Sequence, residues 1–212
     1  MNWPMIIAGI VGYLLGSLPF GYIVARAHGV DIFKVGSGNP GATNVKRELG
    51  ERFGDKGKRA GNFVFVLDAV KGALAAGWAL LPFVHAPDAR MLGLIGVIAA
   101  VLGHSFSVFT KFKGGKGVAT AAGGVLVLMP VPCLIGVVAW VITFFLTRYV
   151  SLGSIIAAVV VPAAGWVEGH PLPLNIVVSL IGLFVIVRHR ENLKRLLAGT
   201  ETKFARKPPA QP

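Results

Sequence analysis

The sequence predicts an all-α protein: a polytopic membrane helix bundle of seven transmembrane helices, with the N-terminus outside and the C-terminus cytoplasmic. Composition is the first reason. Of the 212 residues 54% are hydrophobic and only 14% charged, and the mean hydropathy is +0.71. A soluble domain carries charge on about a quarter of its residues, so lipid rather than water must cover much of this surface. The second reason is a series of apolar runs long enough to cross a bilayer at about 20 residues each. The third is the placement of the 21 Lys and Arg, almost all of which fall on one side once the runs are threaded.

Met5 to Ala25 is the first run. No basic region precedes it, and Arg26 and Lys34 follow it, so it reads as a retained span rather than a cleaved signal. Asn62 to Val84 is the second and carries Asp68 and Lys71; Met91 to Thr110 is the third. Gly117 to Thr147 is apolar throughout, too long for one span and broken by Pro130 and Pro132. Tyr149 to Val167 and Leu174 to Val187 complete the set.

Charge decides whether Gly117–Thr147 is one kinked span or two. With two, Arg26, Lys34, Lys46, Arg47, Arg52, Lys56, Lys58 and Arg59 share the first inside loop. Lys111, Lys113 and Lys116 fall in the second and Arg148 in the third. Arg188, Arg190, Lys194, Arg195, Lys203, Arg206 and Lys207 fall in the inside tail. Nineteen of the 21 are then inside, with Arg90 outside and Lys71 within a span. One span there would put the basic tail opposite the basic first loop, so the positive-inside rule selects seven. The two halves are short, which calls for tilt or shielding by other helices.

No long-period repeat is present. Residues 1–201 read as one integral-membrane domain, followed by a disordered cytoplasmic tail, 202–212, with its Pro-Pro. The formal net charge of +12 belongs to this topology, and no nucleic-acid partner is expected. The single Cys133 leaves no disulfide or Cys-based metal site within one chain; neither a metal nor a cofactor is expected.

Three inside segments are unlike ordinary loops. Gly36-Ser37-Gly38-Asn39-Pro40-Gly41-Ala42-Thr43-Asn44-Val45-Lys46-Arg47 holds three glycines, a proline and four small polar side chains within nine residues. Glycine permits close backbone approach, so the N–H groups around Gly38 and Asn39 can line an anion-binding concavity. Ser37, Thr43 and Asn44 add short donors, and Arg47 supplies a fork suited to phosphate. The same composition also suits a Gly-rich turn before a capped helix.

In the second segment, Gly103 to Thr120, Gly114-Gly115-Lys116-Gly117 stands where an apolar helix begins. Bare N–H groups, glycines and an adjacent Lys favour phosphate there. The GxxxxGK[ST] spacing is absent, which excludes nucleotide hydrolysis of the P-loop kind. Lys111, Lys113 and Lys116 serve equally as topology anchors, and His104 as a structural hydrogen-bonder. The third segment, Arg188 to Glu201, follows the last span and is amphipathic. His189 and Asn192, three apart, share a face, as do Arg188 and Asn192, four apart. They could serve one site, or the segment could be a basic interfacial helix. Asp68 and Lys71, also three apart, most simply pair with each other in a structural role. Ser154 could face a site or cap a helix.

With those residues in view, GSGNPGATNVKR, GHSFSVFTKFKGGKGVAT and RHRENLKRLLAGTE resemble, in order, the three signature segments of the bacterial, membrane-integral acyl-phosphate:glycerol-3-phosphate acyltransferase family. The resemblance runs through about Glu201. It implies transfer of a fatty acyl group from acyl phosphate to the 1-hydroxyl of glycerol 3-phosphate, giving lysophosphatidic acid, at the cytoplasmic side of the bacterial inner membrane. It implies that Ser37, Arg47, Lys116, His189 and Asn192 handle phosphate and substrate. Thr43, Asn44 and the glycines Gly114, Gly115 and Gly117 match binding loops, Ser154 a supporting position, and Glu201 a residue that maintains the third segment.

The residue chemistry agrees, since both substrates carry phosphate and the acyl tail can lie in the bilayer. The His-x4-Asp dyad of other glycerolipid acyltransferases is absent: Phe109 stands five places after His104, and no other His has Asp there. The expected mechanism is therefore substrate-assisted, with His189 either a hydrogen-bond donor or, alternatively, the base. A transporter would need polar groups near the bilayer midplane, whereas here they gather at one face. A noncatalytic lipid-binding scaffold would not need three phosphate-suited loops.

Overall fold

The computed structural model describes residues 3–81 and 88–204. The basic tail residues Arg206 and Lys207, and most of the expected disordered tail, lie outside the described residues. The described chain is helical, with nine α-helices and no strand. It divides into two compact units, Met1–Cys133 and Leu134–Pro212.

The first unit holds α1 (Trp3–Ser17), α2 (Phe20–Ala27), α3 (Ala42–Gly77), α4 (Ala89–Ser105) and α5 (Val118–Leu128). The first apolar run is thus two helices, interrupted at Leu18-Pro19, because Pro19 supplies no N–H to continue the ladder. α1 lies close against α4 through small residues: a Cβ on Gly12 or Gly16 would meet the backbone of Gly96 or Ala100. This is the packing expected where lipid gives helices no hydrophobic reason to associate. α3 folds sharply at Gly54, whose φ of 58° and ψ of −133° are not helical. Its first part, carrying Arg47, turns back on the second: Gly57 sits against the Leu49 carbonyl and Gly61 against Lys46.

The Gly117–Thr147 stretch is two helices in the structure, and they are unequal. α5 has 11 residues, about 16 Å of helix, roughly half a bilayer core. Other helices shelter it: Gly72 of α3 packs on Thr120, Gly123 on Ala69, and Gly124 on Val97 of α4. α6 (Pro130–Thr147) has 18 residues and is long and apolar enough to cross by itself. The break comes at Met129-Pro130, where Pro is tolerated only in the first helical turn.

The second unit holds most of α6, with α7 (Val150–Val167), α8 (Leu172–Arg188) and α9 (Arg190–Leu197). α7 packs on α8 through Gly182 against the Ala158 carbonyl. α8 and α9 meet at 56° around His189. Five segments pass a length and hydropathy test for spans: Trp3–Ala27, Ala42–Leu80, Ala89–Thr110, Pro130–Thr147 and Val150–Val167. α8 passes together with α9, and α5 is a shorter apolar helix.

Candidate functional site

In the first unit, Asn44 organises the Gly-rich loop. It is 2% exposed. Its Oδ1 accepts from the Ser37 N–H at 3.1 Å and from Arg47 Nη2 at 3.3 Å, and its Nδ2 donates to the Val35 carbonyl at 3.1 Å. Asn39 Oδ1 accepts from the Gly41 N–H at 2.9 Å, closing an Asx turn before α3. Gly36, with φ of 56°, leaves no room for a side chain: a Cβ would strike Asn44 and Glu48. Ser37 and Thr43 are exposed. Arg47 Nε is buried with no hydrogen-bond partner among the described residues; its nearest carboxylate oxygen, on Glu48, is 3.9 Å away, beyond hydrogen-bond reach. The loop therefore presents hydroxyl, N–H and guanidinium donors beside a buried Arg donor.

The second segment borders a small cleft. Thr110, Lys113, Gly114 and Gly115 line it, as do Pro40 of the first segment, the α1–α2 break, and Asp68, Lys71 and His104. Ser107 ties the segment down: its hydroxyl donates to the Ser17 carbonyl at 2.6 Å and accepts from the Phe109 N–H at 3.2 Å. Lys111 and Phe112 both take positive φ, 52° and 61°, a conformation that costs non-glycine residues roughly 1–3 kcal/mol each. The Gly115 N–H donates to the His104 carbonyl at 3.1 Å. Gly117, with φ of 81°, caps α5.

Asp68 and Lys71 do pair, at 2.8 Å and almost fully buried. Lys71 also donates to the Leu18 carbonyl at 2.9 Å, across the α1–α2 break. Asp68 Oδ1 lies 3.5 Å from His104 Nδ1. A His–Asp pair thus exists in space, 36 positions apart in the chain, where a search for the local dyad found none. It does not amount to the missing dyad, since the same Asp68 oxygen is bound to the Lys71 ammonium.

In the second unit, Glu201 gathers the third segment. Its Oε1 accepts from Ser151 Oγ and Asn192 Nδ2, both at 2.7 Å, and its Oε2 from Arg195 Nε at 2.7 Å. Burial opposes charge on this carboxyl, yet donation from Asn192, Ser151 and Arg195, with the Arg195 charge, holds it below the ordinary glutamate range. His189 is 3% exposed at the α8–α9 corner, and its Nδ1 lies 2.8 Å from the Val185 carbonyl. A carbonyl only accepts, so in this contact Nδ1 carries a proton and donates it. Arg188 ends α8. Ser154 neither caps a helix nor ends one: inside α7, it donates to the Val150 carbonyl at 3.0 Å and accepts from Trp140 Nε1 at 3.3 Å.

The structure thus brings Pro40, Gly114, Gly115 and His104 to one cleft, together with Asp68 and Lys71, which sequence reasoning had placed in a structural role. Ser37, Arg47 and Lys116 do not line that cleft. Ser17 and Ser107, both lining it, were missed; Ser17 sits in an apolar run with only Pro19 to mark the break. Among the described residues no cluster of three or more His, Cys, Asp or Glu is arranged to hold a metal ion.

A family model described as glycerol-3-phosphate acyltransferase matches residues 6–199. The glycerol-3-phosphate acyltransferase of Aquifex aeolicus (strain VF5) is 44% identical over 195 residues, 92% of this chain and 96% of that protein. That of Mesorhizobium japonicum is 42% identical over 98% of this chain and 100% of its own length. The fold is similar to a crystal structure of PlsY (YgiH), an integral membrane glycerol 3-phosphate acyltransferase, in its glycerol 3-phosphate form. The TM-score is 0.85 at 42% identity, covering 95% of this chain and 96% of that one. The lysophosphatidic acid form of PlsY matches with a TM-score of 0.82 at 41% identity, covering 95% of each chain.

Proposed function

This chain belongs to the glycerol-3-phosphate acyltransferase family, and we propose that it transfers a fatty acyl group from acyl phosphate to the 1-hydroxyl of glycerol 3-phosphate, releasing lysophosphatidic acid and phosphate. The observation that carries the reading is the Gly-rich loop organised by Asn44, with the buried Arg47 Nε beside it, which has no hydrogen-bond partner among the described residues. A buried donor of that kind is costly unless an anion meets it, and both proposed substrates carry phosphate. Similarity to an acyltransferase solved in its glycerol 3-phosphate form supports the same reading.

In this scheme Ser37, Arg47 and Lys116 hold phosphate. Gly38, Asn39, Thr43, Asn44, Gly114, Gly115, Gly117, His104 and Arg188 shape the substrate loops, and Ser154 supports α7. Residues 1–201 form one membrane domain of seven spans in the bacterial inner membrane, N-terminus outside, with the active site on the cytoplasmic side and the acyl tail among membrane lipids.

Acyl phosphate needs little further activation, because phosphate is a good leaving group. The 1-hydroxyl oxygen attacks the acyl carbon, the bond from that carbon to the phosphate oxygen breaks, and the hydroxyl proton passes to a phosphate oxygen. Phosphomonoesters have a second pKa of about 6, so the substrate itself can accept the proton. The protein contributes positioning, worth up to roughly 7–11 kcal/mol, and donors aimed at the developing oxyanion. His189 and Asn192 orient substrate and stabilise charge. The test is purified protein with labelled glycerol 3-phosphate and either palmitoyl phosphate or palmitoyl-CoA. Turnover with the first alone is expected; robust turnover with palmitoyl-CoA overturns the donor. His189→Gln should keep measurable turnover, and a dead variant rescued by imidazole would make His189 the base.

A further inference from the structure

Asp68, Lys71 and His104 meet at the floor of the cleft, and the reaction above leaves the first two without a task. Their side chains are 4%, 3% and 9% exposed. Lys71 already answers the Asp68 charge, at 2.8 Å, so the Asp68 charge does not by itself require a histidine there. A carboxylate 3.5 Å from Nδ1 is beyond a good hydrogen bond, but its field still favours the proton on that nitrogen. The neutral ring then carries its lone pair on Nε2. Nε2 faces the Gly114–Gly115 strand so closely that a Cβ on Gly115 would collide with it. The cleft is polar beyond the ring: Ser17, fully buried, lines it with a hydroxyl that has no partner among the described residues.

We propose that Asp68 is a positioning residue that keeps the His104 proton on Nδ1, and that the Nε2 lone pair accepts a hydrogen bond from the 2-hydroxyl of glycerol 3-phosphate. The assignment presupposes the acyl transfer proposed above. There the 1-hydroxyl gives its proton to phosphate, which leaves the 2-hydroxyl as the donor that needs an acceptor. Gly114 and Gly115, next to Lys116 in the chain, line the same cleft as His104; in glycerol 3-phosphate the carbon bearing the 2-hydroxyl adjoins the ester carbon, so a phosphate held at that strand would carry the 2-hydroxyl toward the ring. A fixed acceptor discriminates: a hydroxyl can donate to it, whereas the 2-keto analogue offers only another acceptor.

The experiment measures kcat/KM for glycerol 3-phosphate against its 2-keto analogue, with palmitoyl phosphate as donor. The proteins are the wild type, Asp68→Asn and His104→Gln, and ¹⁵N-histidine spectra of the first two accompany the kinetics. The wild type should prefer the hydroxyl substrate, and each variant should lower that preference about tenfold, the size of one hydrogen bond. The His104 signals, identified by their loss in His104→Gln, should show an unprotonated Nε2 in the wild type and a larger Nε2-protonated share in Asp68→Asn. If Asp68→Asn fails to fold because Lys71 loses its partner, His104→Gln, which leaves that pair intact, decides. An unchanged preference in His104→Gln, or a wild-type Nε2 that carries a proton, overturns the proposal while wild-type turnover with acyl phosphate still stands. Absence of that turnover refutes the reaction instead, and the spectra still read the tautomer.

Discussion

Glu201→Gln tests the clip that holds the third segment. The wild-type carboxylate receives three hydrogen bonds of 2.7 Å, one from a guanidinium, with its side chain 8% exposed. Glutamine keeps an acceptor for Ser151 and Asn192 but turns an NH2 toward Arg195, so two donors face each other. A hydrogen bond to a charged group is worth about 1.5–3 kcal/mol. Arg195 is 39% exposed on its side chain and can turn to water, so a total loss of about 2–3 kcal/mol is expected. Asn192 also loses a charged partner, so turnover should fall with stability. The sign of the pH effect follows from the depressed folded pKa. The carboxylate's contribution is fully present above the unfolded value of about 4.3 and is lost as pH falls through the lower folded value. Equilibrium unfolding in mixed detergent micelles should therefore show a wild-type advantage at neutral pH that closes below about pH 4. A gap under about 0.5 kcal/mol at neutral pH, the size of an ordinary surface substitution, or one that does not close in acid, would refute the clip.

Arg47→Lys keeps the charge but loses the planar fork and the bond to Asn44; steady-state kinetics should show a large loss, and wild-type rates would reduce Arg47 to a topology charge. Asn44→Ala removes three contacts at a buried position and should cost about 2–4 kcal/mol and most activity; normal stability would mean the loop holds itself. Gly115→Ala puts a Cβ into His104 Nε2 and should chiefly raise KM for glycerol 3-phosphate, so an unchanged KM removes the strand from the substrate site. For topology, Asp88→Cys and Lys203→Cys in a Cys133→Ser background should label from opposite sides of the membrane; labelling from the same side excludes seven spans.

Much of the helix layout was legible because a span is a property of consecutive residues. Hydropathy located the runs that became α1 through α8, and Pro130 marked the break after α5. The Gly-rich loop was legible for a similar reason, since Asn39 and Asn44 make their bonds within a few residues. Composition could not show that the halves of Gly117–Thr147 are unequal, because α5 is sheltered by Gly72 and Val97 from other helices. Nor could it show the reversal at Gly54, one glycine among 28.

The sequence by itself determined that this chain belongs in a membrane and which three segments gather its glycines with small polar and basic side chains. Those follow from local composition and from the cost of placing charge in lipid. Only the tertiary structure decided that His104 faces Asp68, that Lys71 bridges to the α1–α2 break, and that Glu201 joins Ser151, Asn192 and Arg195. A hydrogen bond depends on ångström-scale distance between side chains far apart in the chain, 50 residues for Ser151 and Glu201, and helix packing, not local pattern, sets that distance.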